Sequence, residues 1–283
     1  MAQLYSTETY EVLFQQEIKE RVNLKGLVFR TRTITAGKYK YVDVYPRMNR
    51  LQAQTARAAR ARASTKAQAK LNAWHSRMKL EQLINTNFED GDLFITLTYR
   101  DEQQPPDYAA AMKDINKYLR KLRRLRERRE LPELRYVYCI EATSSAARGT
   151  RYHFHLITGG DGIDRDEAEK LWSNGIANTR RCSTDENGLA GLAHYMSKAM
   201  QPAKEGCRRW NASRNLKKPT VTHNDSKMSA RKVENIIADM ETAGAQIVQK
   251  AYPGYQLTDD IYAARSEWLP GAYIRFKLRR YKT

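Results

Sequence analysis

The chain has 283 residues, of which 50 are lysine or arginine and 32 are aspartate or glutamate, so its formal net charge is +18. Hydrophobic residues make up 41% of the sequence, which is enough for a folded core and excludes a wholly disordered chain. No apolar run reaches the roughly 20 residues of a transmembrane helix, and the charge predicts an anionic partner, either nucleic acid or a membrane surface.

The N-terminus and the cysteines indicate a compartment. The first twenty residues contain acidic side chains and lack the basic-then-apolar pattern of a signal peptide, which predicts an intracellular, cytoplasmic protein. Cys139, Cys182 and Cys207 are widely spaced and form no CxxC motif. They therefore support neither a disulfide framework nor a zinc ribbon.

Two features precede the main predicted domain. Residues 26–46 alternate β-favouring side chains around an Ala-Gly turn, which predicts a β-hairpin appended to the core. Residues 51–83 are rich in alanine and in basic side chains, which predicts a basic helix. Its charge suits either a solvated surface or contact with a nucleic-acid backbone, and we assign Arg57 and Arg60 to DNA contact.

From Asp92 onward, the periodicity of apolar residues predicts strand, helix, strand, strand, helix, strand and helix. The predicted strands are residues 92–101, 135–141, 151–158 and 176–182, and the predicted helices are residues 107–129, 164–175 and 187–200. This order is that of a ferredoxin-like or RRM-like antiparallel sheet, so the predicted fold class is α+β.

The predicted helix 107–129 has an apolar face at helical spacing and a basic face. The basic side chains are Lys113, Lys117, Arg120, Lys121, Arg123, Arg124, Arg126, Arg128 and Arg129. We assign DNA contact to three of them, Arg120, Arg123 and Arg124, because cations that neutralise phosphates release counterions.

The remaining residues carry weaker patterns. We expect a basic loop at 204–220, an amphipathic helix at 228–249 and a strand at 273–278. The predicted domains are residues 1–90 with the hairpin and basic helices, a core at 91–220, and a C-terminal extension at 221–283 that packs on the core.

Two of the five histidines, His153 and His155, lie at positions i and i+2 of a predicted strand, so both side chains point to one face of the sheet. Glu141 ends the neighbouring predicted strand and adds a carboxylate. Two nitrogens and one oxygen suit Mg²⁺ or Mn²⁺ acting on a phosphodiester better than they suit structural zinc, which takes four ligands. The alternatives are two solvated histidines and an ordinary salt bridge from Glu141 to an arginine.

Tyr195 and Lys198 lie three residues apart on the last predicted helix, so they share a helix face. A phenol is a weak nucleophile at neutral pH, and a neighbouring cation and a metal-polarised phosphate would ease its attack on phosphorus. The alternative is a tyrosine buried in the core.

These motifs occur in a characteristic order: FITLTY at 94–99, a strand ending in Glu141, HFHLI at 153–157 and YMSK at 195–198. In this order they resemble the HUH-type rolling-circle replication initiators, in particular the replication-associated proteins of small bacterial plasmids and single-stranded DNA phages. The resemblance covers residues 92–219, less than half of the chain, and implies an HUH endonuclease fold there.

The resemblance implies a role for each motif. His153, His155 and Glu141 would bind the divalent metal ion. Tyr195 would nick one DNA strand and stay bound to its 5′ phosphate, and Lys198 matches the lysine of the catalytic helix. The implied partners are single-stranded or hairpin origin DNA and a host helicase and polymerase, without a membrane.

Some relatives repeat the last motif as YxxKYxxK, whereas here Ala199 and Pro202 occupy the second tyrosine and lysine positions. The site therefore has one tyrosine, and a second cleavage would need a second copy of the chain, as in a homodimer, or a water molecule, or the same tyrosine again. Arg214 and Lys217 lie in a basic stretch that we assign to DNA binding.

Two other functions compete with this interpretation. A transposase or a conjugative relaxase would use the same chemistry on a different DNA. A non-catalytic RRM-like nucleic-acid-binding protein would instead need exposed aromatic residues on the central strands, where this sequence has histidines.

Overall fold

The computed structural model describes residues 14–18, 20, 22–48, 65–145, 149–199, 209–267 and 269–281. These residues form an α+β fold with two antiparallel sheets. The described strands are β1 (Gln16–Glu17), β2 (Phe29–Ala36), β3 (Tyr39–Pro46), β4 (Leu93–Tyr99), β5 (Tyr136–Ser145), β6 (Gly149–Thr158), β7 (Gly175–Arg181), β8 (Asn211–Ala212), β9 (Thr220–Asn224), β10 (Tyr255–Leu257), β11 (Tyr262–Arg265) and β12 (Ala272–Arg280). The described helices are α1 (Thr65–Asn87), α2 (Tyr108–Arg128), α3 (Arg165–Lys170), α4 (Ala190–Ala199), α5 (Ala230–Ala238) and α6 (Ala243–Ala251), with a short 3₁₀ helix at Asp101–Gln103.

The chain divides into two compact units. Unit 1 comprises Met1–Lys79 and Lys218–Thr283, and unit 2 comprises Leu80–Lys217. This division differs from the three consecutive segments expected from the sequence, because the N-terminal hairpin pairs directly with the C-terminal strand, with Val42 opposite Phe276. No helix in the described part of the chain is long and apolar enough to cross a membrane.

Unit 1 is built on seven strands in the order β1-β11-β12-β3-β2-β9, with β10 paired to β12. The predicted hairpin is present as β2 and β3, but it lies inside this sheet and is not an appendage. One face of the sheet, including Val42, Val44 and Phe276, packs against Ile236 of α5 and Val248 of α6. The predicted final strand is present as β12.

The single helix predicted at 228–249 is instead the pair α5 and α6. The Asp239 carboxylate accepts hydrogen bonds from the amides of Thr242 and Ala243, at 2.8 and 3.0 Å. A side chain that binds these amides competes with continued helical bonding, so it ends one helix and begins the next. Strand β9 was not predicted, because all five of its residues are exposed and show no alternation.

Unit 2 is built on five strands in the order β7-β4-β6-β5-β8, and every neighbouring pair is antiparallel. The predicted sequence of elements, strand, helix, strand, strand, helix, strand and helix, is present from β4 to α4. One sheet face, with Leu97, Phe154 and Leu156, packs under α2. The other face packs against α4 and the C-terminal part of α1.

The helices of unit 2 follow local sequence cues. Helix α2 begins where predicted, because the Asp107 side chain accepts a hydrogen bond from the amide of Ala110 at 2.7 Å. Helix α3 ends at Lys170, earlier than predicted. The predicted stop at Gly175 is wrong, because this glycine opens β7, where a Cβ atom would lie 2.0 Å from the carbonyl oxygen of Thr98.

Several other boundaries differ from the predicted ones. The predicted helix 51–83 corresponds to α1, which runs on to Asn87; its predicted beginning, with Arg57 and Arg60, lies outside the described residues. Strands β5 and β6 extend into the predicted loop at 142–150. The predicted loop 204–220 contains β8, which pairs with β5.

Gly175→Ala should lower the free energy of unfolding by about 3 kcal/mol, because the added methyl group meets backbone atoms of β4 that cannot turn aside. Gly191→Ala is the matched control, since nothing lies within 4 Å of its Cβ position in α4. Urea unfolding should show the control unchanged or slightly stabilised. Equal stability of the two variants would contradict the close β4–β7 approach.

Candidate active site

The strand register of unit 2 places the predicted metal ligands on one face of the sheet. His153 and His155 alternate on β6 with the buried Phe154. His153 lies opposite Glu141 of β5, and across β4 it lies opposite Thr98. All three predicted ligands therefore belong to the face that carries α4, and none belongs to the face under α2.

Side-chain contacts join two of these ligands directly. His155 Nε2 lies 3.0 Å from Glu141 Oε2. His155 is only 2% exposed, so it is not a solvated histidine, and Glu141 contacts it instead of the arginine considered as an alternative. A buried imidazole beside a carboxylate is an uncommon arrangement that usually serves a purpose.

Two threonines of β4 orient the histidine rings. His153 Nδ1 lies 3.2 Å from Thr98 Oγ1, and His155 Nδ1 lies 3.4 Å from Thr96 Oγ1. Hydrogen bonds of this kind to one ring nitrogen fix the ring and its tautomer, and they leave Nε2 as the ligand atom. The sequence did not single out the threonines, because their role appears only when β4 is paired with β6.

Burial lowers the pKa of His153, and the neighbouring Glu141 carboxylate opposes that shift only in part. A lowered pKa means that the imidazole is neutral at neutral pH. Neutral imidazole is the form that binds a metal ion, since its lone pair is free.

Tyr195 lies over this group of residues. Its ring meets the ring of His155 edge-on, with centroids 5.1 Å apart, and meets the ring of Phe94 at 6.0 Å. The tyrosine is 46% exposed, so it is not a core residue and its hydroxyl is accessible to a large substrate.

Helix α4 holds Tyr195 in this position through its buried side. Ala193 and Met196 are fully buried against the sheet. The Cys139 thiol of β5 donates to the carbonyl oxygen of Met196 at 3.4 Å, one residue from the tyrosine. Lys198 is exposed three residues further along the same helix.

Arg180 of β7 is a cation near the site that the sequence did not indicate. It lies opposite Phe94 in the β4–β7 pair, and its guanidinium is 5.1 Å from the centre of that ring. Because Phe94 also contacts Tyr195, this arginine belongs to the surroundings of the tyrosine. Only the pairing of an edge strand with β4 brings it there.

The donor set agrees with a divalent metal ion in part. No group of three or more His, Cys, Asp or Glu residues with the arrangement of a metal site occurs in the described residues. The structure brings Glu141 and His155 together and places His153 on the same face, with a threonine partner for each histidine. Two imidazoles and one carboxylate with such partners are chemically suited to bind Mg²⁺ or Mn²⁺ and leave positions for water and phosphate.

The residues assigned to DNA binding are separate from this group. Arg120, Arg123 and Arg124 are exposed on α2, on the opposite side of the sheet from Tyr195. Arg214 and Lys217 are exposed beyond β8, and the backbone of Lys217 exchanges two hydrogen bonds of 2.8 Å with the side chain of Asn87.

Three of the nine basic residues on the predicted helix 107–129 have structural partners instead. Arg126 is only 3% exposed and donates to the carbonyl oxygens of Pro132 and Gly159. Lys121 donates to the carbonyl oxygen of Leu171, and Arg129 pairs with Glu167. A basic face inferred from spacing therefore included residues that hold loops of unit 2.

Comparison with known proteins supports the resemblance seen in the sequence. Residues 92–200 match the model of the family described as Replication-associated protein ORF2, less than half of the chain. The matched segment includes the residues predicted for catalysis and metal binding, Glu141, His153, His155, Tyr195 and Lys198. Comparison with the curated proteins gave no significant match, and comparison with the solved structures gave none either.

The family match confirms, over this segment, the resemblance carried by the motifs. It is consistent with a rolling-circle replication initiator of single-stranded DNA replicons, and it connects this part of the chain with DNA replication and DNA binding.

Cys139 and Cys182 should not react with a thiol reagent in the native protein. Burial raises the pKa of each thiol to about 12, so neither forms the nucleophilic thiolate at neutral pH. In the Cys207→Ser variant we expect no rapid labelling, and two labelled thiols after unfolding in guanidinium. Rapid native labelling would show that the site wall around Cys139 or Cys182 is open.

Proposed function

We propose that residues 92–200 form an HUH-type endonuclease domain that nicks and rejoins single-stranded DNA through Tyr195 when rolling-circle replication begins. The observation that carries the proposal is the contact of Tyr195 with His155, which itself contacts Glu141, inside the segment that matches the family. The sheet order β7-β4-β6-β5 also supports an HUH or RRM-like fold, since it places the first and third strands of a βαββαβ unit at the centre.

In the proposed reaction, the Tyr195 hydroxyl oxygen attacks the scissile phosphorus in line with the bond to the 3′ oxygen. The oxygen–phosphorus bond to tyrosine forms, the bond to the 3′ oxygen breaks, and the 3′ hydroxyl leaves with a proton. Held by Glu141, His153 and His155, a divalent ion would polarise the phosphate and stabilise its negative charge. The ammonium group of Lys198 favours the same charge from α4.

One phosphodiester is exchanged for another in this step, so it is close to reversible and permits strand joining. The 3′ hydroxyl that it releases can prime synthesis. The site offers a single tyrosine, so a second cleavage would use a second copy of the chain, a water molecule or Tyr195 again. A relaxase or transposase would use the same chemistry, and the DNA that is nicked distinguishes them.

The RRM-like binding protein is the less favoured function. On the site face, the central strands β4 and β6 carry Thr96, Thr98 and the two histidines, where an RRM uses exposed aromatic rings. Phe94, the aromatic residue of β4 on this face, is buried against Tyr195 and Arg180.

Tyr195→Phe should abolish a covalent protein–DNA adduct, because the variant keeps the ring packing against His155 and loses only the attacking oxygen. The assay uses a labelled single-stranded origin oligonucleotide with Mn²⁺ and denaturing gel electrophoresis. Tyr262→Phe is the control, since Tyr262 is similarly exposed but lies in unit 1. An adduct that survives Tyr195→Phe and disappears on chelation would refute the tyrosine assignment.

The double variant His153→Ala and His155→Ala should lower nicking at least about 100-fold and leave most single-strand binding intact, because cations elsewhere supply the affinity. Thr98→Val should cost about tenfold and be partly rescued at high Mn²⁺, since it removes only the bond that orients His153. The measurements are nicking rate against Mn²⁺ concentration and binding by fluorescence anisotropy. If binding disappeared together with nicking while the fold persisted, the histidines would be a binding surface.

A further inference from the structure

Helix α2 presents a straight row of cations to solvent. Successive spacings of four, three, four and four residues keep its members on one side of the helix. We call it the α2 stripe, and its members are Lys113, Lys117, Arg120, Arg124 and Arg128. All five are exposed, and the stripe is about 22 Å long at 1.5 Å per residue.

The stripe is not engaged within unit 2. None of its five side chains forms an ion pair or hydrogen bond with the residues that the structure describes, in contrast to Lys121, Arg126 and Arg129 of the same helix. Glu127 lies at the margin of the stripe and is the exposed acid next to it. Five cations held close together on one rigid helix repel one another, so the row has a cost that an anionic partner would relieve.

The stripe lies on the opposite side of the sheet from the candidate active site. The apolar side of α2 packs on Leu97, Phe154 and Leu156, whereas His155 and Tyr195 belong to the other face. A helix with its side chains is about 10–12 Å across, so the stripe is separated from Tyr195 by the sheet and the width of α2. A short single strand bound at Tyr195 cannot reach the stripe with the same nucleotides.

We propose that the α2 stripe is a second DNA-contact surface, which binds the phosphate backbone of double-stranded DNA next to the segment that is nicked. This inference rests on the proposed function only in taking DNA as the partner. It assigns the two forms of DNA to two faces of unit 2: the single strand to the face of Tyr195, and the duplex to the outer side of α2.

The chemistry of the stripe favours duplex over single-stranded DNA. Proteins that bind single strands without sequence preference stack bases on aromatic side chains. The stripe has none beside it, because Tyr118 is buried beneath α2 and bonds to the carbonyl oxygen of Ala168. A straight row of cations on a rigid helix instead matches the regular phosphates of a stiff duplex.

The test removes three charges from the stripe, with Lys117→Gln, Arg120→Gln and Arg124→Gln in one full-length variant. The control removes the same charge from exposed lysines of unit 1, with Lys25→Gln, Lys38→Gln and Lys250→Gln. Binding of a short blunt-ended duplex and of a short single-stranded origin oligonucleotide is followed by fluorescence anisotropy over a range of KCl concentrations.

For the stripe variant, the slope of log affinity against log salt for the duplex should become shallower by about 2.7, at about 0.9 for each phosphate that is no longer neutralised. The control should keep the original slope, and the adduct formed with the single-stranded oligonucleotide should be unchanged in both. A further variant with Lys117→Arg, Arg120→Lys and Arg124→Lys keeps the charge and should bind duplex like the original protein.

Three results would overturn the proposal. One is a duplex slope in the stripe variant no shallower than in the control; another is an equal loss of single-strand binding. The third is loss of duplex binding in the charge-conserving variant, which would mean that the charge of the row does not supply the affinity. If no adduct forms even with the original protein, the nicking function fails, while the duplex slopes still decide the role of the stripe.

Discussion

The pairing of β4 with β6 is the constraint on which the candidate active site depends. In this register Thr96 lies opposite His155 and Thr98 opposite His153, so each ring nitrogen meets a hydroxyl of the neighbouring strand. A shift of one residue would move all of these side chains to the other face of the sheet. The shift is prevented because the alternate residues of both strands, among them Leu97 and Phe154, are fully buried beneath α2. Apolar packing on one face thus sets the polar geometry on the other.

The two faces of this sheet have different tasks as a result. Beneath α2 and α3, aromatic and aliphatic side chains fill the space, and Tyr99, Phe154 and Trp172 meet one another at ring distances of 5.1–6.2 Å. Beneath α4, the packing is apolar only at one end of the strands, around Ile157 and Met196. Toward the other end it gives way to Glu141 and the histidines, and Ile176 of β7 is 66% exposed. A site that must admit a polymer is built where the sheet is left half covered.

Much of the catalytic half of the fold could be predicted from sequence, because its strands are buried on one face and alternate strictly, as in residues 93–99. The ends of elements were harder to place. The break at Asp239 depends on a carboxylate that binds two amides, and the beginning of β7 at Gly175 depends on the close approach of β4. Burial of a charged residue such as Arg126 cannot be inferred from spacing, since a basic helix face looks the same whether its cations meet carbonyl oxygens or water.

The paired hydrogen bonds between Asn87 and Lys217 have a topological consequence. Asn87 donates through Nδ2 to the Lys217 carbonyl oxygen and accepts from the Lys217 amide, both at 2.8 Å, so a side chain imitates one rung of a β-ladder. These residues lie near the two ends of unit 2, which is inserted between two parts of unit 1 in the sequence. The chain thus enters and leaves the inserted unit at almost the same place. An insert whose ends meet can be gained or lost in evolution without forcing the flanking strands apart, as is common for domains joined to others at neighbouring termini.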